Sequence, residues 1–190
     1  MLVACTLPLA AAPLEVRVTD PAGKPLAGVV VFAESPEAKA ALKPAAGIEI
    51  AQTGKQFVPP VTVIPTGTAV SFPNRDTVRH HVYSFSPAKK FEIKLYVGTP
   101  ANPVVFDQPG IAVLGCNIHD HMVAWVVIVD TPYFAQTGAD GKVNFPNLPA
   151  GGYRLRAWHA GLPVGATPTD QALQMGAGAQ QAVVTLAGPK

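Results

Sequence analysis

Charge and aromatic side chains are scarce in this chain of 190 residues: 14 Lys and Arg face 12 Asp and Glu, and aromatics make up 7%. The net charge of +2, with no basic run, gives nucleic acid or a strongly anionic surface nothing to hold. Cysteine is nearly absent. The two that occur, Cys5 and Cys116, cannot build a disulfide framework. Beyond the N-terminus no stretch approaches the roughly 20 apolar residues of a membrane-spanning helix. Long helices are disfavoured too, because 17 Gly and 20 Pro fall without periodicity and punctuate the chain with turns. The length fits one domain, or one domain inserted in another.

What the chain does contain is concentrated. Four of the 5 histidines and one of the 2 cysteines fall in two clusters. One is the stretch Gly115-Cys116-Asn117-Ile118-His119-Asp120-His121-Met122, with the spacing Cys-x2-His-x2-Met; the other is the pair His80-His81. A soft thiolate, two imidazoles and a weak axial thioether form the ligand set of a blue-copper electron-transfer site. Cys116 follows an expected strand at 111–114 and Val123 opens the next, so three side chains of one tight loop can converge on a point. The fourth ligand must come from elsewhere in the sequence, which makes such a site rigid before metal arrives. Adjacent strand residues point to opposite faces, so only one of His80 and His81 can face the metal. His121 stands directly before Met122, which leaves awkward geometry for both as ligands, and the two-residue gap favours His119. Met122 taken alone could equally be a core gap-filler. Copper oxidases and nitrite reductases need further histidines for additional copper centres, and a dinuclear centre needs a second loop cysteine. The chain therefore reads as a non-enzyme with one mononuclear copper and no small-molecule substrate.

The rest of the chain reads as all-β. Residues 14–20 alternate and turn at 21–25, and 29–34 follow as a second strand. Residues 35–47 are a linker or one short helix. Strand-sized segments then recur at 61–64, 69–72, 81–85, 91–96, 104–106, 111–114 and 123–129. The last, VAWVVIV, has the nearly continuous β-branched run of a strand buried on both faces. A turn at 138–142, a second turn at 148–152 feeding a strand, and a last strand at 181–186 complete the reading.

Two resemblances sharpen this. Residues 48–130 resemble a cupredoxin, specifically amicyanin and the plastocyanin-like "methylamine utilization" proteins. Gly67, Val70, Phe72 and Asn74 match that family's segment ahead of the first ligand, His80 falls at the ligand position, and Cys116, His119 and Met122 match its short loop. The resemblance implies a Greek-key β-sandwich with one type 1 copper held by His80, Cys116, His119 and Met122. His81 and His121 are the alternates, and Asn74, Asn117 and His81 lie in support. It also implies an electron carrier between redox proteins, with methylamine dehydrogenase as the donor its name suggests. One ligand histidine, His119, would be solvent-facing within an apolar rim that includes Ile118 and Val97. His81 and Asn117 stand where the family often has Asn and Ser or Thr, and a bond from Asn117 to His81 is expected to tie the two ligand segments. Residues 13–34 and 131–190 resemble the two halves of a carboxypeptidase-regulatory-like or transthyretin-like, Ig-like β-sandwich into which the copper domain is inserted, or which flanks it.

Residues 1–12 are apolar and end in an Ala-x-Ala arrangement like a secretory signal peptide, although the positive n-region is missing. A buried first strand is the other reading. The chain is accordingly expected in the periplasm. Membrane attachment is expected only if Cys5, in the lipobox-like Leu2-Val3-Ala4-Cys5, carries lipid. Trp125 and Trp158 read as core aromatics, His159 as structural or surface, and Lys89, Lys90 and Lys94 as a solvated face that could double as a docking patch for an acidic redox partner.

Overall fold

The computed structural model describes residues 11–187, so residues 1–10, including Cys5 and most of the expected signal segment, lie outside it. The chain divides into two compact units. One runs to Ser35, resumes over Tyr133–His159 and continues from Thr167; the other comprises Pro36–Pro132 and Ala160–Ala166. The first unit opens with β1 (Ala11–Thr19) and β2 (Val30–Glu34). The second contains α1 (Pro36–Ala40), β3 (Ile48–Glu49), β4 (Ala51–Gln52), β5 (Phe57–Val58), β6 (Val61–Pro65), β7 (Thr68–Ser71), β8 (His80–Ser86), β9 (Lys89–Tyr96), β10 (Val104–Phe106), β11 (Gly110–Gly115) and β12 (Val123–Val129). The first unit resumes with β13 (Phe134–Gln136), β14 (Lys142–Pro149), β15 (Gly151–Trp158), β16 (Thr169–Met175) and β17 (Gln180–Thr185).

The unit that carries both histidine clusters is a β-sandwich. One sheet has the order β6-β12-β11-β8-β9, the other β10-β7-β3. Side chains of both meet in one core that includes Ile64, Val70, Phe72, Val82, Phe106, Leu114, Val126 and Ile128. Each fully buried Val, Leu or Phe contributes about 1.5–3 kcal/mol. β12 lies between β11 and a parallel β6, which is why its β-branched run is buried over most of its length. The period-2 alternation of strands then sets the site. On β11, Ala112 and Leu114 point inward, and Cys116 continues that inward series one step past the strand end. On β8, His80, Val82 and Ser84 form the inward series, all fully buried.

The other unit pairs two sheets of its own, β14-β1-β17 and β13-β2-β15-β16. β1 buries Leu14, Val16 and Val18 and leaves Glu15 and Arg17 on the outer face. Tyr153, Leu155 and Ala157 of β15 and Ala182 and Val184 of β17 are buried in the same alternating way. β1 begins at Ala11, so Ala11 and Ala12, which the signal-like reading includes, pair with Pro149 and Leu148. β16 was not expected from sequence. Its residues TDQALQM lack β-branched alternation and are mostly exposed, and it forms as an edge strand along β15 from Gly151↔Met175 to Ala157↔Thr169. Trp158 is buried, whereas Trp125 is half-buried on β12.

The turn before β14 depends on Gly141. Its φ of +71° suits glycine, and a Cβ there would lie 2.6 Å from the Val18 carbonyl oxygen. Gly141→Ala is expected to destabilise this unit by about 2–4 kcal/mol, combining left-handed strain with a backbone clash. Urea unfolding of the variant beside wild type measures the shift.

Candidate metal centre

The segment entering β8 is fixed by Asn74. Its Nδ2 donates to the Val78 and Tyr96 carbonyls at 2.8 and 2.9 Å, its Oδ1 accepts from the Asp76 N–H at 3.0 Å, and its own N–H donates to Gly98 O at 2.8 Å. These bonds fold residues 74–79 into a turn against the end of β9. Asp76 is thereby aimed at His80, whose Nε2 lies 2.7 Å from Asp76 Oδ2. The same carboxylate accepts from the backbone N–H of Gly54 at 2.6 Å and of Lys55 at 2.9 Å. The Lys55 amide, with His80 and the Gly54 amide behind it, holds the Asp76 carboxyl below its usual range despite the opposing cost of burial. An ionised Asp76 can only accept, so His80 Nε2 donates to it, and in the neutral ring Nδ1 is the nitrogen that carries the lone pair. That Nδ1 is buried and has no hydrogen-bond partner. An orphaned buried polar atom is costly unless something else binds it.

The neighbours of His80 suit a metal. One donor atom each from His80, Cys116 and His119 lies within 4.8 Å of the others. Cys116 is a buried free thiol, with Sγ 4.0 Å from His119 Nδ1. The His80 and His119 rings are 5.0 Å apart. The loop closes through Met122 N–H donating to His119 O at 2.9 Å, and Met122 is itself buried in the same core. His119 is half-buried. Burial pushes its pKa down, and the charges of His80, Lys55 and His121 add to this while Asp76 opposes it. A neutral imidazole is the form that binds metal. The donor chemistry of thiolate, two imidazoles and thioether therefore fits copper.

The remaining candidates contribute no donor atom to this cluster among the described residues. His81 lies on the opposite face of β8, where its Nε2 meets Glu92 Oε1 of β9 at 2.8 Å and its ring packs on Tyr83. Its Nδ1 is also buried without a partner, but no thiol or second imidazole converges on it among the described residues. The expected bond from Asn117 to His81 is not formed: Asn117 is exposed, and Glu92 takes the His81 ring instead. His121 is exposed, with Nε2 3.1 Å from Lys55 O. His159 lies in the other unit, where burial lowers its pKa.

Sequence reasoning missed Asp76, the Gly54–Lys55 turn and Tyr96. Asp76 had a signal, an acidic side chain four residues before His80 in an Asn-x-Asp turn. Tyr96, cross-strand from His80, donates to Phe72 O at 2.7 Å and accepts a bond from Gln52 Nε2. Burial, with a contribution from Cys116 and against the Gln52 bond, pushes its hydroxyl up to about 12, so it stays a neutral phenol.

No family model matches the chain, and no curated protein sequence does. Among solved structures it is similar to a purple cupredoxin from Nitrosopumilus maritimus, at 24% identity over 44% of this chain and 100% of that one, with a TM-score of 0.39. It is similar to a copper-containing nitrite reductase from Thermus scotoductus SA-01 at 22% identity over 60% of this chain, with a TM-score of 0.41, but spans only 28% of that protein. A copper(I) amicyanin variant shares 18% identity over 52% of this chain and 98% of its own, with a TM-score of 0.40. TM-scores at this level leave the fold to the chain's own strands and the site to its own residues.

Because the Asp76 pKa is lowered on folding, its bonds contribute stability that is complete above the unfolded carboxylate value and lost as pH falls through the folded one. Metal-free wild type is expected to be more stable than Asp76→Asn near neutrality, with the gap closing below about pH 4. Denaturant midpoints measured across that range check the sign. Asp76→Ala is further expected to weaken copper binding by about 10–100-fold, read by competition titration.

Proposed function

We propose that this chain is a cupredoxin-type electron carrier with a single type 1 copper held by His80, Cys116, His119 and Met122. The observation that carries this reading is the convergence of Cys116 Sγ, a His119 nitrogen and the His80 ring, whose Nδ1 is freed by the Asp76 bond, at the mouth of an apolar core. Copper in such a set supplies a one-electron couple. The chain's residues do the rest. Cys116 would offer the thiolate and the electronic path inward, His80 and His119 would each supply an imidazole nitrogen, and buried Met122 would supply the thioether. His80 is held by Asp76 and Asn74's turn, which would keep its ring in place for the metal.

His119 is the partly exposed donor and so the route to the surface. Ile118, Val97 and Val78 are exposed apolar side chains on the two ligand-bearing segments and on the strand end tied to them by Asn74. They offer an apolar rim for a redox protein partner rather than a small-molecule substrate. Lys90 and Lys94 remain exposed on β9 for an acidic partner, while Lys89 is already paired with Asp107 at 2.8 Å. On this reading the protein works in the periplasm, lipid-anchored if Cys5 is modified. The second reading, copper storage or assembly with an adaptor module, draws on the separate two-sheet unit, which contributes none of the donor atoms.

Titration with Cu(II) is expected to give an intense thiolate-to-copper absorption and a type 1 EPR spectrum, both abolished by Cys116→Ser. Copper-loaded wild type with an intact thiol and no colour would sink the proposal. Reversible voltammetry separates the carrier from the store, since a storage site would release Cu(I) instead of cycling.

A further inference from the structure

We propose that the turn Thr53–Gln56 between β4 and β5 is a clip that fixes the two ligand segments to each other, with Asp76 and His121 as its attachment points. The proposal rests on the copper reading above and extends it to residues that touch no metal. The turn is closed by reciprocal backbone bonds, Thr53 N–H to Gln56 O at 3.0 Å and Gln56 N–H to Thr53 O at 3.2 Å. From its tip the successive N–H groups of Gly54 and Lys55 converge on the Asp76 carboxylate. The Lys55 carbonyl, from the same peptide turn, accepts from His121 Nε2 at 3.1 Å. One turn thus holds the carboxylate that orients His80 and the loop that carries Cys116, His119 and Met122.

Backbone conformation shows that the arrangement is imposed. Gly54 has φ +62°, and Lys55 has φ +57°, the single non-glycine residue at positive φ among the described residues. Successive N–H groups of a turn can form a concave anion site, and here the anion is the Asp76 carboxylate. A lysine adopts this strained conformation only where the surroundings demand it. The surroundings are rigid: Gln52 N–H donates to Pro73 O at 2.8 Å, Arg75 N–H donates to Gln52 O at 2.9 Å, and Gln52 and Phe57 are buried on either side of the turn. The clip is therefore anchored to the same segment that leads to His80, and its fastener to the ligand loop is the exposed His121. The second histidine of the loop is on this account a tether rather than a spare ligand. It does the work that sequence had assigned to Asn117 and His81.

The test compares wild type, His121→Ala and His121→Gln, the last keeping an N–H that can reach the Lys55 carbonyl. His121→Ala is expected to keep the intense thiolate absorption, because the four ligands remain. Its EPR hyperfine splitting should shift and its copper affinity fall about 10–100-fold. In the metal-free protein the Met122 amide, which closes the ligand loop, should exchange faster with solvent. His121→Gln should restore all three. A His121→Ala protein that matches wild type in spectrum, affinity and exchange overturns the clip, and so does a His121→Gln protein no better than His121→Ala. If wild type itself takes up no coloured copper, the copper reading fails, while the exchange measurement still decides the clip.

Discussion

A single hydrogen bond, from His80 Nε2 to Asp76, decides which edge of a buried imidazole is left for a metal. Imidazole has two nitrogens and, when neutral, one proton. An ionised carboxylate at 2.7 Å takes that proton's position on one side and leaves a bare lone pair on the other. The bond persists because Asp76 is itself held by two backbone amides and stands at the end of a turn pinned by Asn74. Remove Asp76 and nothing among its described partners fixes which ring nitrogen carries the proton. The other donors would then converge on a nitrogen that is no longer reliably there.

The sandwich contributes placement. Cys116 and His80 are each the outermost member of an inward-facing series, on β11 and β8 respectively, so the donors sit where the apolar core ends. Hydrophobic packing of Leu114, Val82 and Phe72 behind them holds the backbone fixed without supplying competing polar groups. The result is a polar edge, with donors that suit a metal, on a mainly apolar interior, with His119 partly open to solvent.

Much of this was legible in the chain. The β-branched run of β12, the alternation of β1 and the turn residues around 138–142 each encode their own local structure, and the all-β class follows from them. The grouping of Cys116, His119 and Met122 is local in sequence, and strand alternation limits His80 and His81 to one inward member. What could not be read is of a different kind. The amides that hold Asp76 lie 21 and 22 residues away and are backbone groups, which carry no side-chain signature. The same is true of the Lys55 carbonyl that receives His121. The Asn117–His81 bond, expected from the positions those residues hold in the family resemblance, is not formed because β8 turns His81 toward Glu92. β16 forms by pairing with β15 rather than by any preference of its own residues.

The discontinuity of the first unit bears on how the chain reaches this structure. β2 pairs with β13, Phe32 opposite Phe134, and β1 pairs in parallel with β17, Leu14 opposite Gln180. Both contacts close loops that span most of the chain, and the entropy of such closure rises with loop length. If residues 36–132 collapse first into their own sandwich, the effective loop between β2 and β13 shrinks to that unit's entry and exit. The inserted sandwich would then act as a folding scaffold for the unit it interrupts. As the chain emerges N-terminus first, β1 and β2 would wait as unpaired strands until the last third becomes available, an interval in which exposed edges invite misassociation.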